Sequence, residues 1–435
     1  MIIVDTELAR RQDEGRPVRV GMVGAGFAGR GLALQIVTSM VGMKLVAIAN
    51  RTLDQAERAY REAGVEQLRA VESTHQLEAA IAEGQYAITD DPFLLCEAVN
   101  IDVIVEITGE VEFGARVVLR AIEHGKHVVL MNAELDATLG PVLKAYADRA
   151  GVVFTNADGD QPGVIMNLFR YVRTLGFKPL LCGNIKSLLD CRRTPETQKA
   201  WAAANFQRTK MVTSFADGTK IAMEMCTVAN ATGFGVGVRG MYGPTCSHVD
   251  EAPSLFNLDE LMRGGLVDYI LGAQPSFGVF VLGYCDHPLK QRYMRFYKMG
   301  DGPVYTFYTP FHLSPLEAPL TVARAVLLGD AAVVPLGEPV CEVIAQAKRP
   351  LGAGESLDGI GGFTCYGMLE NARTVGAENL LPMGLTEGCR LLRDIAIDQP
   401  LTFADVELPA GRLSDRLYCE QNAALGARRI LQPAE

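Results

Sequence analysis

The residues whose types and spacing carry the clearest chemistry are Gly24-Ala25-Gly26-Phe27-Ala28-Gly29, set after the apolar run Val18 to Val23 and before a helical stretch reaching about Met40. Each glycine has a physical reason to be there. Gly24 permits a tight turn, Gly26 lets the backbone approach a pyrophosphate, and Gly29 lets helix pack on strand. Free amides at the helix start, those of Phe27 and Ala28 included, together with its dipole, then hold phosphates. A second run, Lys44 to Ala49, ends in Asn50-Arg51-Thr52. An acid at this place would recognise a free ribose 2′-hydroxyl. Asn50 lacks that charge, and Arg51 offers a planar guanidinium to a 2′-phosphate, so NADP(H) is the expected cofactor. A solvated arginine at a strand end is the plain alternative. Thr108 and Gly109 follow the run Ile101 to Ile107 and are expected to line the nicotinamide side, although an ordinary loop reads nearly as well.

Carboxylates and amines come next. The run Val152 to Asn156 empties into Ala157-Asp158-Gly159-Asp160-Gln161-Pro162. Asp158 and Asp160, beyond the carboxyl end of a strand, could bind a divalent cation, act in proton transfer, or simply cap a helix. Gly183-Asn184-Ile185-Lys186-Ser187 and Asp190-Cys191-Arg192-Arg193-Thr194 concentrate donors in an otherwise acidic chain. Lys186 is a candidate general acid or carbonyl polariser, and Arg192 and Arg193 are candidates to clamp a substrate phosphate or carboxylate, against the alternative of a solvated basic face. Lys220 and Glu224 stand four apart, hence on one face if helical, where a surface ion pair is the bland reading. His248 and His287, in a glycine-rich stretch, read as structural.

The elements that position these groups follow from periodicity. Strand, glycine turn, helix and second strand complete a βαβ unit, with Thr52 and Gln55 as a capping-box pattern. Ser73 with Gln76 opens another helix, Asp91-Pro92 a short one, and Val111 to His124 and Leu135 to Arg149 are helical around the strand His127 to Met131. Such alternation predicts an α/β chain whose N-terminal Rossmann domain, residues 1–157, is a doubly wound parallel sheet. From Asp158 the alternation is lost. Residues 158–335 read as an α+β catalytic and oligomerisation domain, with strand-like runs Phe277 to Gly283 and Tyr305 to Tyr308 and a helix at 315–328 that returns to the first domain. Past the linker Pro335 to Pro339, residues 336–435 read as a small β-rich domain with a faint repeat, Arg349 to Leu357 echoed by Arg393 to Leu401.

Composition bounds the class. The chain has 435 residues, 49% hydrophobic and 21% charged, enough for several cores. A net charge of −10 argues against a nucleic-acid partner. Ten scattered cysteines without a CxxC pair point away from a disulfide scaffold and toward a reducing cytoplasm, and no apolar run reaches the length of a membrane span.

The segments VGMVGAGFAGRG, DVIVEITG, GKHVVLMN and NADGDQPG resemble the homoserine dehydrogenase-like oxidoreductases. GNIKSLLD, SFADGTKIAMEM and a C-terminal repeat that looks like a SAF domain are similar to the bacterial deoxyxylulose-phosphate-reductoisomerase-like enzymes, over Val18 to about Leu408. The resemblance implies an NADPH enzyme, a cytoplasmic homodimer, that isomerises 1-deoxy-D-xylulose 5-phosphate and reduces the resulting aldehyde to 2-C-methyl-D-erythritol 4-phosphate for isoprenoid synthesis. Other members of the group act on sugar acids such as apionate. It further implies a divalent cation, Mg or Mn, on Asp158, Asp160 and Glu224, with Lys186, Lys220, Asp160 and Asn184 in catalysis. Homoserine dehydrogenases carry a lysine directly after the asparagine that matches Asn132, whereas this chain has Ala133, which argues against plain homoserine oxidation. Outside catalysis, the alternative is an NADPH-binding sensor.

Overall fold

The computed structural model describes residues 3–424. These residues divide into two compact units: 3–163 together with Leu313–Val334, and Val164–His312 together with 335–424.

In the first unit, β1 (Val18–Val23), β2 (Met43–Ala49), β3 (Leu68–Ala70), β4 (Tyr86–Thr89), β5 (Val103–Glu106), β6 (His127–Leu130) and β7 (Phe154–Asn156) form one sheet in the order β3-β4-β2-β1-β5-β6-β7. Every pairing is parallel. Strands covered on both faces have no polar side, so β5 is buried at each position and β1 and β2 each leave one residue half-buried. This is the doubly wound α/β architecture the alternation predicts. The order turns at β1, which pairs with β2 on one side and β5 on the other. At that switch point the carboxyl ends of the strands splay into a ligand crevice.

The helix Ser314–Leu328 belongs to this unit, its Ala318, Val322, Ala323 and Ala325 lying in the core that also holds Leu32, Ala33 and Ile36 of the helix Phe27–Ser39. Contact between the two is close. A Cβ at Gly31 would lie 2.8 Å from Cβ of Pro315.

The second unit is built on a four-stranded sheet of β8 (Lys178–Lys186), β9 (Leu266–Leu271), β10 (Gly278–Tyr284) and β11 (Val304–Thr309), ordered β11-β10-β8-β9. β8 runs parallel to β9 and antiparallel to β10. Leu180, Ile185, Ile270, Phe280 and Leu282 fill its core. The strand nature of Lys178–Lys186 is not predicted from the sequence, since a central strand buried on both faces lacks period-two alternation. Farther on, β12 (Cys341–Ala347) and β13 (Cys365–Asn371) pair antiparallel. The repeat's two arms meet: Leu351 and Ile395 exchange backbone hydrogen bonds of 3.0 and 2.9 Å.

Local expectations fare unevenly. Ser73 caps its helix through the Gln76 amide at 3.3 Å, and Asp91 caps the next through Phe93 at 2.9 Å. Thr52 is an N-cap without any side-chain cap bond; the Gln55 amide donates to the Thr52 backbone carbonyl at 3.0 Å instead of to its hydroxyl. His248 and His287 are both N-caps, with Nδ1 accepting from Asp250 and Lys290 amides. Among the described residues no helix is long and apolar enough to cross a membrane.

Candidate functional site

The glycine turn has the form the dinucleotide mechanism asks for. Gly24 sits at φ +109°, and a Cβ there would lie 3.0 Å from the Ile107 carbonyl oxygen. At Gly29 a Cβ would come within 2.6 Å of the Gly24 carbonyl oxygen, so only glycine lets the helix start this close to the strand. Gly26 is different: nothing lies within 4 Å of its Cβ position, leaving open space at the helix N-cap. Gly26 and Phe27 are exposed and Ala28 is half-buried. A cradle closed behind and open in front, with the helix N-terminus aimed at it, fits a pyrophosphate.

Asn50 does more than remove a charge. Its Oδ1 accepts from the Ala25 amide at 3.1 Å and its Nδ2 donates to Thr52 O at 2.9 Å, so it braces the turn from the end of β2. Arg51 is exposed and makes no ion pair among the described residues, which leaves its guanidinium available to a 2′-phosphate. Thr108 and Gly109 follow β5, with Gly109 at φ +74°.

Behind that loop stands a carboxylate that sequence reasoning did not assign. Glu106, the last residue of β5, is fully buried. Its Oε1 accepts from the Thr108 amide at 3.0 Å and from the Thr108 hydroxyl, and its Oε2 accepts from Asn132 Nδ2 at 2.7 Å. Asn132 in turn caps the helix Ala133–Ala150 by accepting from the Leu135 amide at 3.0 Å. Burial pushes the Glu106 carboxyl up to about 7, against the pull of these hydrogen bonds. The signal was legible: an acid closing the apolar run Val103 to Val105 has no place in a core unless it is bound there. Where the resemblance puts a lysine, Ala133 is fully buried.

Asp158 and Asp160 lie in the tight turn after β7 and belong to the same unit as the glycine turn. Asp158 is buried; its Oδ1 accepts from the Gly159 amide at 2.9 Å and its own amide donates to Thr321 Oγ1 at 2.6 Å. Beside it, burial and the Asp158 charge push the Glu317 carboxyl above its ordinary range. Asp160 is half-buried before the helix Gln161–Thr174. Of the expected cation set, Asp158 and Asp160 lie in the first unit and Glu224 in the second. Among the described residues no group of three or more His, Cys, Asp or Glu side chains is placed to hold a metal ion.

The remaining candidates belong to the second unit. Asn184 is fully buried within β8, and Lys186 is half-buried at its end. Lys220 and Glu224 lie on the helix Thr219–Thr232, whose residues Thr219 to Ala231 are all buried, so the surface ion-pair reading of these two does not hold. Asp217, which precedes that helix, forms a buried ion pair of 2.8 Å with Lys348. Burial pushes the Asp217 carboxyl up while the Lys348 ammonium pulls it back. The two arginines are engaged: Arg192 pairs with Asp398 and donates to Lys348 O at 2.8 Å, and Arg193 pairs with Asp190 at 2.9 Å.

Comparison with known proteins divides the chain at nearly the same place. Residues 20–155 match the homoserine dehydrogenase NAD-binding domain, and residues 159–318 match the catalytic domain of oxidoreductase DRL. The homoserine dehydrogenase of Neisseria gonorrhoeae is 30% identical over 139 residues, 32% of this chain and 28% of the relative. That of Methylobacillus glycogenes is 29% identical over 124 residues, 28% of this chain and 27% of the relative. The alignment thus spans little more than a quarter of each curated relative. Of solved structures, a homoserine dehydrogenase from Thiobacillus denitrificans is 18% identical, covering 78% of this chain and 83% of its own, with a TM-score of 0.40. The myo-inositol dehydrogenase of Lactobacillus casei, in complex with NAD(H) and myo-inositol, is 12% identical, covering 74% and 88%, with a TM-score of 0.43.

Proposed function

The chain is a homoserine dehydrogenase-like oxidoreductase of the DRL type, and from that premise we propose that it is an NADPH-dependent isomeroreductase converting 1-deoxy-D-xylulose 5-phosphate to 2-C-methyl-D-erythritol 4-phosphate. The observation that carries the reductase half is the cradle: Gly26 open at a helix N-cap, Gly24 and Gly29 packed where no side chain fits, and Arg51 exposed at the end of β2. The DRL catalytic match over residues 159–318 supports the isomerase half.

In this reading the Phe27 and Ala28 amides bind the pyrophosphate, Arg51 selects the 2′-phosphate, and the Glu106-braced loop at Thr108 and Gly109 orients the nicotinamide. NADPH, when bound, supplies the hydride. Lys220 or Lys186 gives the proton to the carbonyl oxygen as the carbon is reduced, so that aldehyde, hydride and proton become an alcohol. Ammonium groups of this kind also stabilise oxyanion charge during the carbon shift. No step here runs through the cation implied by the resemblance. A cytoplasmic homodimer accompanies this proposal.

The deciding experiment follows NADPH oxidation with 1-deoxy-D-xylulose 5-phosphate, other ketose phosphates and sugar acids such as apionate, each with Mg, with Mn and with chelator. Turnover of the deoxyxylulose phosphate is expected. Consumption with a sugar acid alone would move the assignment to a sugar-acid oxidoreductase, and tight NADPH binding without turnover on any substrate would favour a sensor.

A further inference from the structure

The C-terminal segment from Pro335 onward lies outside both domain matches, yet one of its side chains reaches the elements that carry the second unit's candidate residues. Lys348, directly after β12, is almost wholly buried. An ammonium has three protons to donate, and all are placed: to Asp217 Oδ2 at 2.8 Å, to the Arg193 carbonyl at 2.8 Å and to the Gly362 carbonyl at 2.8 Å. The first two partners stand on different segments, the turn Asp190–Thr194 and the turn that opens the Lys220 helix.

Asp217 passes the constraint on. Its other oxygen, Oδ1, accepts from the Thr219 amide at 2.8 Å, across Gly218 in the left-handed region at φ +90°. Thr219 is held from β13 as well, its Oγ1 accepting from the Gly367 amide at 2.9 Å. Packing there is tight, for a Cβ at Gly367 would lie 3.0 Å from Thr219 Cγ2. Lys220 is the next residue. A buried ammonium bonded to one carboxylate and two carbonyls is a directional tie, not general cohesion: without it Asp217 keeps a buried charge with no cation, and the bond to Thr219 weakens as that carboxyl protonates.

We propose that Lys348 is a positioning residue supplied by the C-terminal segment, which sets the first turn of the Lys220 helix through Asp217 and fixes the Arg192–Arg193 turn to the same point. The proposal rests on the reading that Lys220 acts in the site, but its test uses no substrate, so it can fail independently of that reading.

In the full-length protein, Lys348→Met keeps an apolar side chain as far as Cε and removes the ammonium. NMR of 13Cε-labelled lysines, with Lys220 assigned by its loss in Lys220→Arg, reports the amine's surroundings, and amide exchange reports the Thr219 bond. The expected result is a displaced Lys220 resonance and exchange at Thr219 faster by about tenfold or more, with the β8–β10 ladder unchanged and NADPH affinity as in the wild type. If Lys348→Met does not fold, Asp217→Asn, which leaves one acceptor oxygen where two are needed, is read in the same way. A folded variant with an unmoved Lys220 resonance and wild-type exchange at Thr219 overturns the proposal. So does faster exchange spread evenly over the whole unit, which marks Lys348 as a stabilising residue only.

Discussion

Glu106 sets the chemistry at the scale of single residues. A carboxyl held near 7 in the folded chain, against about 4.5 unfolded, binds its proton more tightly when folded. Stability linked to it is therefore fully present below about pH 4.5 and is lost as pH rises through 7, by roughly 3 kcal/mol. Glu106→Gln does not titrate. The difference in unfolding free energy between the two proteins, measured by denaturant titration, is expected to move by roughly 3 kcal/mol in the variant's favour from pH 4.5 to pH 8. A difference independent of pH would show that burial does not raise this carboxyl above its ordinary range. Arg51 carries the other residue-scale prediction. Arg51→Ala is expected to weaken NADPH binding by about 1.5–3 kcal/mol, tenfold or more in Kd, and to leave NADH binding nearly unchanged. Titration of both cofactors checks it, and equal losses for the two would remove Arg51 from the 2′-phosphate.

At the scale of elements, the first βα turn is held by backbone contact. The Gly24 carbonyl lies where a Gly29 side chain would begin, and Ile107, just past β5, closes on Gly24. Gly29→Ala must push the helix Phe27–Ser39 away from β1, and that helix is also packed against Ser314–Leu328 through Gly31. The strain has no flexible side chain to absorb it. Gly29→Ala is expected to cost about 1–3 kcal/mol of stability and to weaken NADPH binding at least tenfold. Gly26→Ala, built into open space, should keep the fold and lose only cofactor affinity. Thermal melts read beside NADPH titrations separate the two. Equal melting with equal affinity for both variants would contradict the packing account.

For the whole molecule, the division into units predicts how the chain tolerates truncation. All residues of the first unit precede Pro335, so a chain ending at Leu336 retains the whole Rossmann sheet and the returning helix. It is expected to bind NADPH with a Kd within about threefold of the full-length value, since the cradle keeps every contact. The second unit fares worse. Its helix Thr219–Thr232 is buried along nearly its whole length, and β12, β13 and Lys348 supply part of that cover. Turnover should therefore vanish on truncation, with exposure of apolar surface measurable by dye binding. Failure of a folded truncated chain to bind NADPH would count against the independence of the first unit.

Local rules carry the first unit because its elements are specified by neighbours in the chain. Strand, glycine turn and helix follow one another within about two dozen residues, and the parallel sheet follows from their alternation, so the crevice at β1 and the residues Gly24, Gly26, Gly29, Asn50 and Arg51 are legible without coordinates. Tertiary structure alone decided the rest. That Asn50 braces the turn, that Glu106 holds Thr108 and Asn132, and that Arg192 faces Asp398 are pairings between segments far apart in sequence, which no spacing encodes. The burial of Lys220 and Glu224 is of the same kind. Four-residue spacing puts them on one helical face, but whether that face meets water or a core depends on what packs against it, and β12 and β13 arrive more than a hundred residues later.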